Sequence, residues 1–158
     1  MAKVVIIYDS KSGNTETMAK SIAEGARAVS GVEVFLKKLG EPFSLRILDN
    51  ADALILGSPA HYGHVTLEMR DFLTCLRGGQ EAGRLKLGGK VGAAFGSYGW
   101  DGGVCIERLG MDLGNLGIKV QSLVLAQVPP LPYSALKEKS LKEYRDLGRS
   151  IAEKAPKQ

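Results

Sequence analysis

Ser10, Ser12, Gly13, Asn14 and Thr15 stand together just behind the apolar run Val4-Val5-Ile6-Ile7. Hydroxyls, an amide and a glycine between a buried strand and a helix start could hold an anion. The free N–H groups and the positive dipole end of a helix favour negative charge there. Gly13 would let the backbone come close, while Ser10, Ser12, Asn14 and Thr15 add neutral donors. No Gly-Lys-Ser/Thr ending follows and no Mg²⁺ ligand accompanies the stretch, so it is not a Walker-type loop. It reads as a phosphate cradle of another kind. The plainer alternative is that Ser12 or Asn14 only caps the helix. Lys11 occupies the variable position and is expected to point to solvent. Two further stretches, Ser58 to His64 (SPAHYGH) and Ser97 to Gly103 (SYGWDGG), are also rich in glycine, hydroxyl or aromatic residues.

These stretches need elements to position them. Apolar runs and alternation predict strands at 3–8, 32–36, 51–57, 90–96 and 118–125. Helical spacing predicts helices over 14–29 (Met18, Ile22, Ala26, Val29), 67–77 (Met69, Phe72, Leu73, Leu76), 104–116 (Ile106, Leu109, Leu113, Leu116) and 134–155 (Tyr144, Leu147, Ile151). Residues 43–49 could add a short helix. Strict strand–helix alternation with unbroken apolar strands means an α/β fold with a parallel sheet covered on both faces. Ligands of such sheets bind beyond the carboxyl ends of the strands, where strand order reverses. The three loops all follow strands, the first, third and fourth.

Composition narrows the function. The 158 residues, 44% hydrophobic and 24% charged, suit one globular core. No apolar run approaches the ~18 residues of a membrane span, and the short apolar stretch after Lys3 does not make a signal peptide. A net charge of +4, without a block of basic residues, does not point to nucleic acid. Cys75 and Cys105 have neither metal nor disulfide spacing, so a reducing cytoplasm is the expected setting. Cys105 reads as a helix-core thiol. His61 and His64, with no cysteine or carboxylate beside them, make a poor metal site. No residue set suggests a nucleophile or general base; Glu68, Arg70 and Asp71 read as a solvated helix face.

Ser10-Lys11-Ser12-Gly13-Asn14-Thr15 resembles the [ST]-x-[ST]-G-N-T phosphate loop of the flavodoxin family, and the resemblance covers the whole chain. No insertion interrupts the fifth strand, so it resembles the short-chain form. AAFGSYGWDGG, residues 93–103, resembles the flavodoxin-like module of flavodiiron (A-type) flavoproteins. GSPAHYGHVTLEMRDFL, residues 57–73, resembles the P-T-R-F-G-N-M segment of WrbA-type quinone reductases. The resemblance implies a single flavodoxin-like domain over 1–158, a doubly wound five-stranded sheet in the order 2-1-3-4-5 with helices on both faces, and FMN as cofactor. Carried over, Ser10, Lys11, Ser12, Gly13, Asn14 and Thr15 would surround the phosphate. Ser58, Pro59, Ala60, His61, Tyr62 and Gly63 would form the middle flavin loop, with Tyr62 as the stacking ring. Ser97, Tyr98, Gly99, Trp100 and Gly102 would lie along the isoalloxazine. Trp100 sits among glycines, not on an apolar helical face, which suits a ring contact.

The implied function is one- or two-electron transfer between redox proteins, a reductase and an acceptor, by a cytoplasmic monomer or weak homo-oligomer without nucleic-acid or membrane partners. The alternative is an FMN-dependent NAD(P)H:quinone oxidoreductase of the WrbA type, and a third class is a binding module that senses flavin or has lost it. Flavodoxins are typically acidic and this chain is not, so the usual basic-faced partners do not suit it.

Overall fold

Successive residues of a strand face opposite ways, and the first strand is apolar on both. In the computed structural model, which describes residues 2–98, 103–127 and 138–155, β1 spans Ala2–Tyr8. Val4, Ile6 and Tyr8 enter one core, and Val5 and Ile7 enter the other. The same division holds in β3 (Ala53–Gly57), where Ala53 and Ile55 face one side and Leu54 and Leu56 the other. With β2 (Val32–Lys38), β4 (Val91–Tyr98) and β5 (Lys119–Gln127) they form a parallel sheet in the order β2-β1-β3-β4-β5. The order reverses between β1 and β3, because the chain crosses from β2 back over β1.

Helices cover both faces. On one side lie α1 (Asn14–Arg27), through Met18, Ile22 and Ala26, and α4 (Glu138–Lys154), through Tyr144, Leu147 and Ile151. On the other lie α2 (Leu67–Glu81), through Met69, Phe72, Leu73 and Leu76, and α3 (Val104–Asn115), through Cys105, Ile106, Leu109 and Leu113. These are the apolar stripes expected from helical spacing.

Several boundaries differ from those expected. β4 does not stop at Gly96 but runs on to Tyr98, because Ser97 and Tyr98 pair with Ala126 and Gln127 of β5. The loop expected from Ser97 therefore starts after Tyr98. α2 continues past Arg77 through Gly78 and Gly79 to Glu81. Tertiary contacts offset the weak helical preference of glycine there: Gln80 Nε2 donates to the Leu116 carbonyl and Gln80 Oε1 accepts from Leu87 N–H, both at 3.0 Å. The short helix expected over 43–49 shrinks to a 3-10 turn, Leu45–Leu48, capped by Ser44 Oγ. α4 is described from Glu138, and the part of the expected helix from 134 to 137 lies outside the described residues.

Candidate functional site

Gly13 sits at φ +95°, a left-handed conformation that favours glycine, and forms the N-cap position of α1. Neither Ser12 nor Asn14 caps the helix. Ser10, buried, performs that task from further back: its Oγ accepts from the N–H groups of Gly13 and Glu16, each at 3.2 Å. Among the described residues the N–H groups of Asn14 and Thr15 meet no acceptor. Asn14 Nδ2 reaches Ser12 Oγ only at 3.4 Å, so both side chains remain open at the helix end. A Cβ built on Gly13 would meet nothing within 4 Å, so the space in front of the turn is open as well. Free N–H groups, a hydroxyl and an amide around an open helix N-terminus fit a phosphate.

Lys11 does not simply point to solvent. Its ammonium lies 2.9 Å from Glu68 Oε1 on α2 and 3.4 Å from Asp9 Oδ2. The hydrogen bond from Lys11 holds Glu68 below the usual carboxylate range, and the same bond raises Lys11. Asp9 is buried, its Oδ1 accepts from Ser10 N–H at 2.9 Å, and its Oδ2 has no hydrogen bond. The Lys11 ammonium therefore offsets the one carboxylate buried under the loop. Beside it, Tyr8 Oη donates to Glu16 Oε1 at 2.8 Å. Burial, then Glu16, pushes the phenol up, and the bond from Tyr8 depresses Glu16.

Three loops are stitched together at this edge. Asp9 N–H donates to the Gly57 carbonyl at 3.0 Å, and Ala60 N–H donates to the Ser97 carbonyl at 2.9 Å. Thr15 Oγ1 and Ser97 Oγ, both buried, share a 3.0 Å hydrogen bond across 82 positions of sequence. Ser58 is fully buried and organises its own loop, donating to the Pro59 carbonyl and accepting from Thr66 N–H. Pro59 is buried as well. Beyond the half-buried Ala60, His61 and His64 exchange two backbone hydrogen bonds, of 2.8 and 3.0 Å, around Tyr62 and Gly63. Their φ values of 53° and 80° make a type I′ turn. Tyrosine is an unfavourable choice for its first position, yet Tyr62 stands there with 86% of its surface exposed.

The structure thus brings Ser10 to Thr15, Ser58 to Gly63, Ser97 and Tyr98 to one edge, at the reversal between β1 and β3. Gly99, Trp100 and Gly102 lie outside the described residues. Sequence reading missed Asp9 and Thr66, and it read Glu68 as part of a solvated helix face without its partner Lys11. Thr66 was findable, since a threonine before an apolar helical run is a cap signal, and its Oγ1 does accept from Met69 N–H at 3.2 Å. No group of three or more metal-ligating side chains clusters among the described residues, and no helix there is long and apolar enough to cross a membrane. A groove of about 1090 Å³ between the 3-10 turn and the end of α2 opens at the other end of the strands, away from these loops.

Comparison with known proteins agrees with this geometry. A family model described as Flavodoxin matches residues 6–143. A flavodoxin of Aquifex aeolicus is 36% identical over 165 aligned positions, covering 97% of this chain and 86% of that protein. A solved flavodoxin from the domain Archaea superposes with a TM-score of 0.78 at 30% identity, covering 97% of this chain and 98% of the other. The rubredoxin oxygen:oxidoreductase of Desulfovibrio gigas superposes at 0.80 with 27% identity, but there 97% of this chain matches only 36% of a longer protein. Matches of that extent show that this chain belongs to the flavodoxin family, whose members bind FMN and transfer electrons.

Proposed function

We propose that this chain is an electron carrier whose FMN is held by the three loops at the β1/β3 reversal, and that 1–158 forms one working domain. The observation carrying the reading is the open, left-handed entry to α1, hydrogen-bonded into the loops behind β3 and β4. Asn14 and Thr15 N–H, Ser12 Oγ and Asn14 Nδ2 are the groups placed to hold the phosphate. Ser10 and Gly13 shape the turn that presents them, and Lys11 balances Asp9 instead of reaching the ligand. Tyr62 supplies the ring that stacks. Ser58, Pro59 and Ala60 fix the middle loop, with His61 and Gly63 closing its turn. Ser97 ties the third loop to Thr15, and Tyr98, Gly99, Trp100 and Gly102 take the ring positions that the family resemblance gives them.

When bound, FMN supplies a ring that takes up and releases one or two electrons. The chain's share is to bind, orient and shield it, which needs no nucleophile or general base. The partners are a reductase and an acceptor in the cytoplasm, met by a monomer or weak homo-oligomer. The WrbA-type reading is the competing outcome. In a test of the FMN-loaded protein with NADH or NADPH and a quinone, the expected rate without added reductase stays near the uncatalysed background. Rapid turnover would replace the carrier with an oxidoreductase.

A further inference from the structure

Exposed apolar and cationic side chains are gathered on one flank of the flavin edge. Tyr62 at the tip of the middle loop is 86% exposed, Leu67 at the start of α2 is 70% exposed, and Val104 at the start of α3 is 40% exposed. Behind them a cleft of about 260 Å³ between α2 and α3 is lined by Arg70, Arg77 and Arg108 against one carboxylate, Asp112. The spacing repeats on both helices. Leu67, Arg70 and Arg77 share a face of α2, while Val104, Arg108 and the 68%-exposed Met111 share a face of α3.

All three arginines are exposed, and none is in an ion pair among the described residues. Arg108 Nη1 reaches only the Gly63 carbonyl, at 3.4 Å. Of the nearby acids among the described residues, Glu68 is engaged by Lys11, Asp71 and Glu107 lie about 100° round their helices from the neighbouring arginines, and Asp112 sits inside the cleft.

Guanidinium groups pair best with carboxylates, often through two hydrogen bonds. Redox proteins meet through small interfaces, with an apolar centre inside a polar rim. Complementary charge steers their encounter and raises the on-rate. We propose that Tyr62, Leu67 and Val104, with the arginine-lined cleft of Arg70, Arg77 and Arg108 behind them, form the docking surface for a redox partner whose own contact face is acidic. The proposal rests on the FMN-carrier reading. In each productive encounter the partner's reduced centre gives up one electron and the flavin gains it, with any accompanying proton coming from solvent.

The probe is an acidic [2Fe–2S] ferredoxin, chemically reduced and mixed by stopped flow with the FMN-loaded protein. Arg70→Glu/Arg77→Glu is compared with Lys86→Glu/Lys119→Glu, an equal change of charge at the opposite end of the sheet. Arg108 is left intact because it touches the middle loop. At low salt the arginine variant is expected to react about tenfold or more slowly than wild type, with the lysine variant within about twofold. The wild-type rate falls with salt and the gap closes as screening shortens the range of the charges. Dithionite reduction and FMN affinity remain those of wild type. Equal slowing in both variants, no slowing in either, or a wild-type rate that rises with salt would overturn the proposal. Failure of the wild type to take up FMN would instead defeat the carrier reading, and the docking surface with it.

Discussion

Thr15 and Ser97 show what sequence reveals at the scale of one residue and what it hides. Both residue types read as phosphate-loop and flavin-loop positions, yet their hydroxyls meet each other, a pairing that no local pattern announces. Ser10 was legible as a donor but serves as an acceptor for two N–H groups. Tyr62 was legible as an aromatic in a glycine-rich loop; its left-handed φ of 53° was not. That conformation costs a non-glycine residue roughly 1 kcal/mol, which asparagine, more at home there, would reduce. Tyr62→Asn is therefore expected to gain about 0.5 kcal/mol or more in urea unfolding while weakening FMN and riboflavin alike. Unchanged affinity for both would remove Tyr62 from the ring site. The Tyr8–Glu16 bond gives a pH-dependent test. Glu16 is depressed, so its contribution is present above the ordinary carboxylate range and is lost as pH falls through its lower folded value. Tyr8→Phe should cost about 1 kcal/mol near neutral pH, with the gap closing on the acid side. A gap as wide in acid as at neutrality would show that the loss comes from packing.

At the scale of elements, the contact between α1 and α4 depends on two glycines that look like defects in helices. A Cβ on Gly148 would collide with the Ile22 carbonyl and come within 3.0 Å of Ala26 N, and one on Gly25 would collide with the Arg145 carbonyl. The two backbones therefore touch directly, and the contact anchors the helix whose first turn forms the proposed cradle. Propensity alone says Gly148→Ala should stabilise by about 1 kcal/mol. Prying two packed helices apart costs about 1–3 kcal/mol on top of any lost contacts, and the collision here is with backbone, so the expected result is a net loss of about 1 kcal/mol or more in urea unfolding. A gain would mean the helices can separate freely. The apolar stripes of α1 to α4 were legible because each follows a 3.6-residue period. The ends of β4 and α2 were not, because Ser97, Gly78 and Gly79 are turn-type residues overruled by pairing with β5 and by Gln80's bonds to Leu116 and Leu87.

At the scale of the molecule, the continuous apolar strands required a doubly covered parallel sheet, and the short polar loops at one end marked its working edge. Strand order came through the family resemblance, and the sheet bears it out. The flank formed by Arg70, Arg77 and Arg108 could not be read in advance, since these residues come from two helices and gather only when α2 and α3 lie side by side. The central claim is that the entry to α1 holds the phosphate of FMN. Ser12 and Asn14 test it best: their side chains face the open turn, whereas Thr15 is buried against Ser97. Calorimetric titration of FMN and of riboflavin into the wild type and Ser12→Ala/Asn14→Ala isolates the phosphate. The double variant should lose about 1.5–3 kcal/mol of FMN binding for each hydrogen bond to the charged group, with riboflavin affinity within about twofold of wild type. Equal losses for both flavins would place the phosphate elsewhere and contradict the assignment.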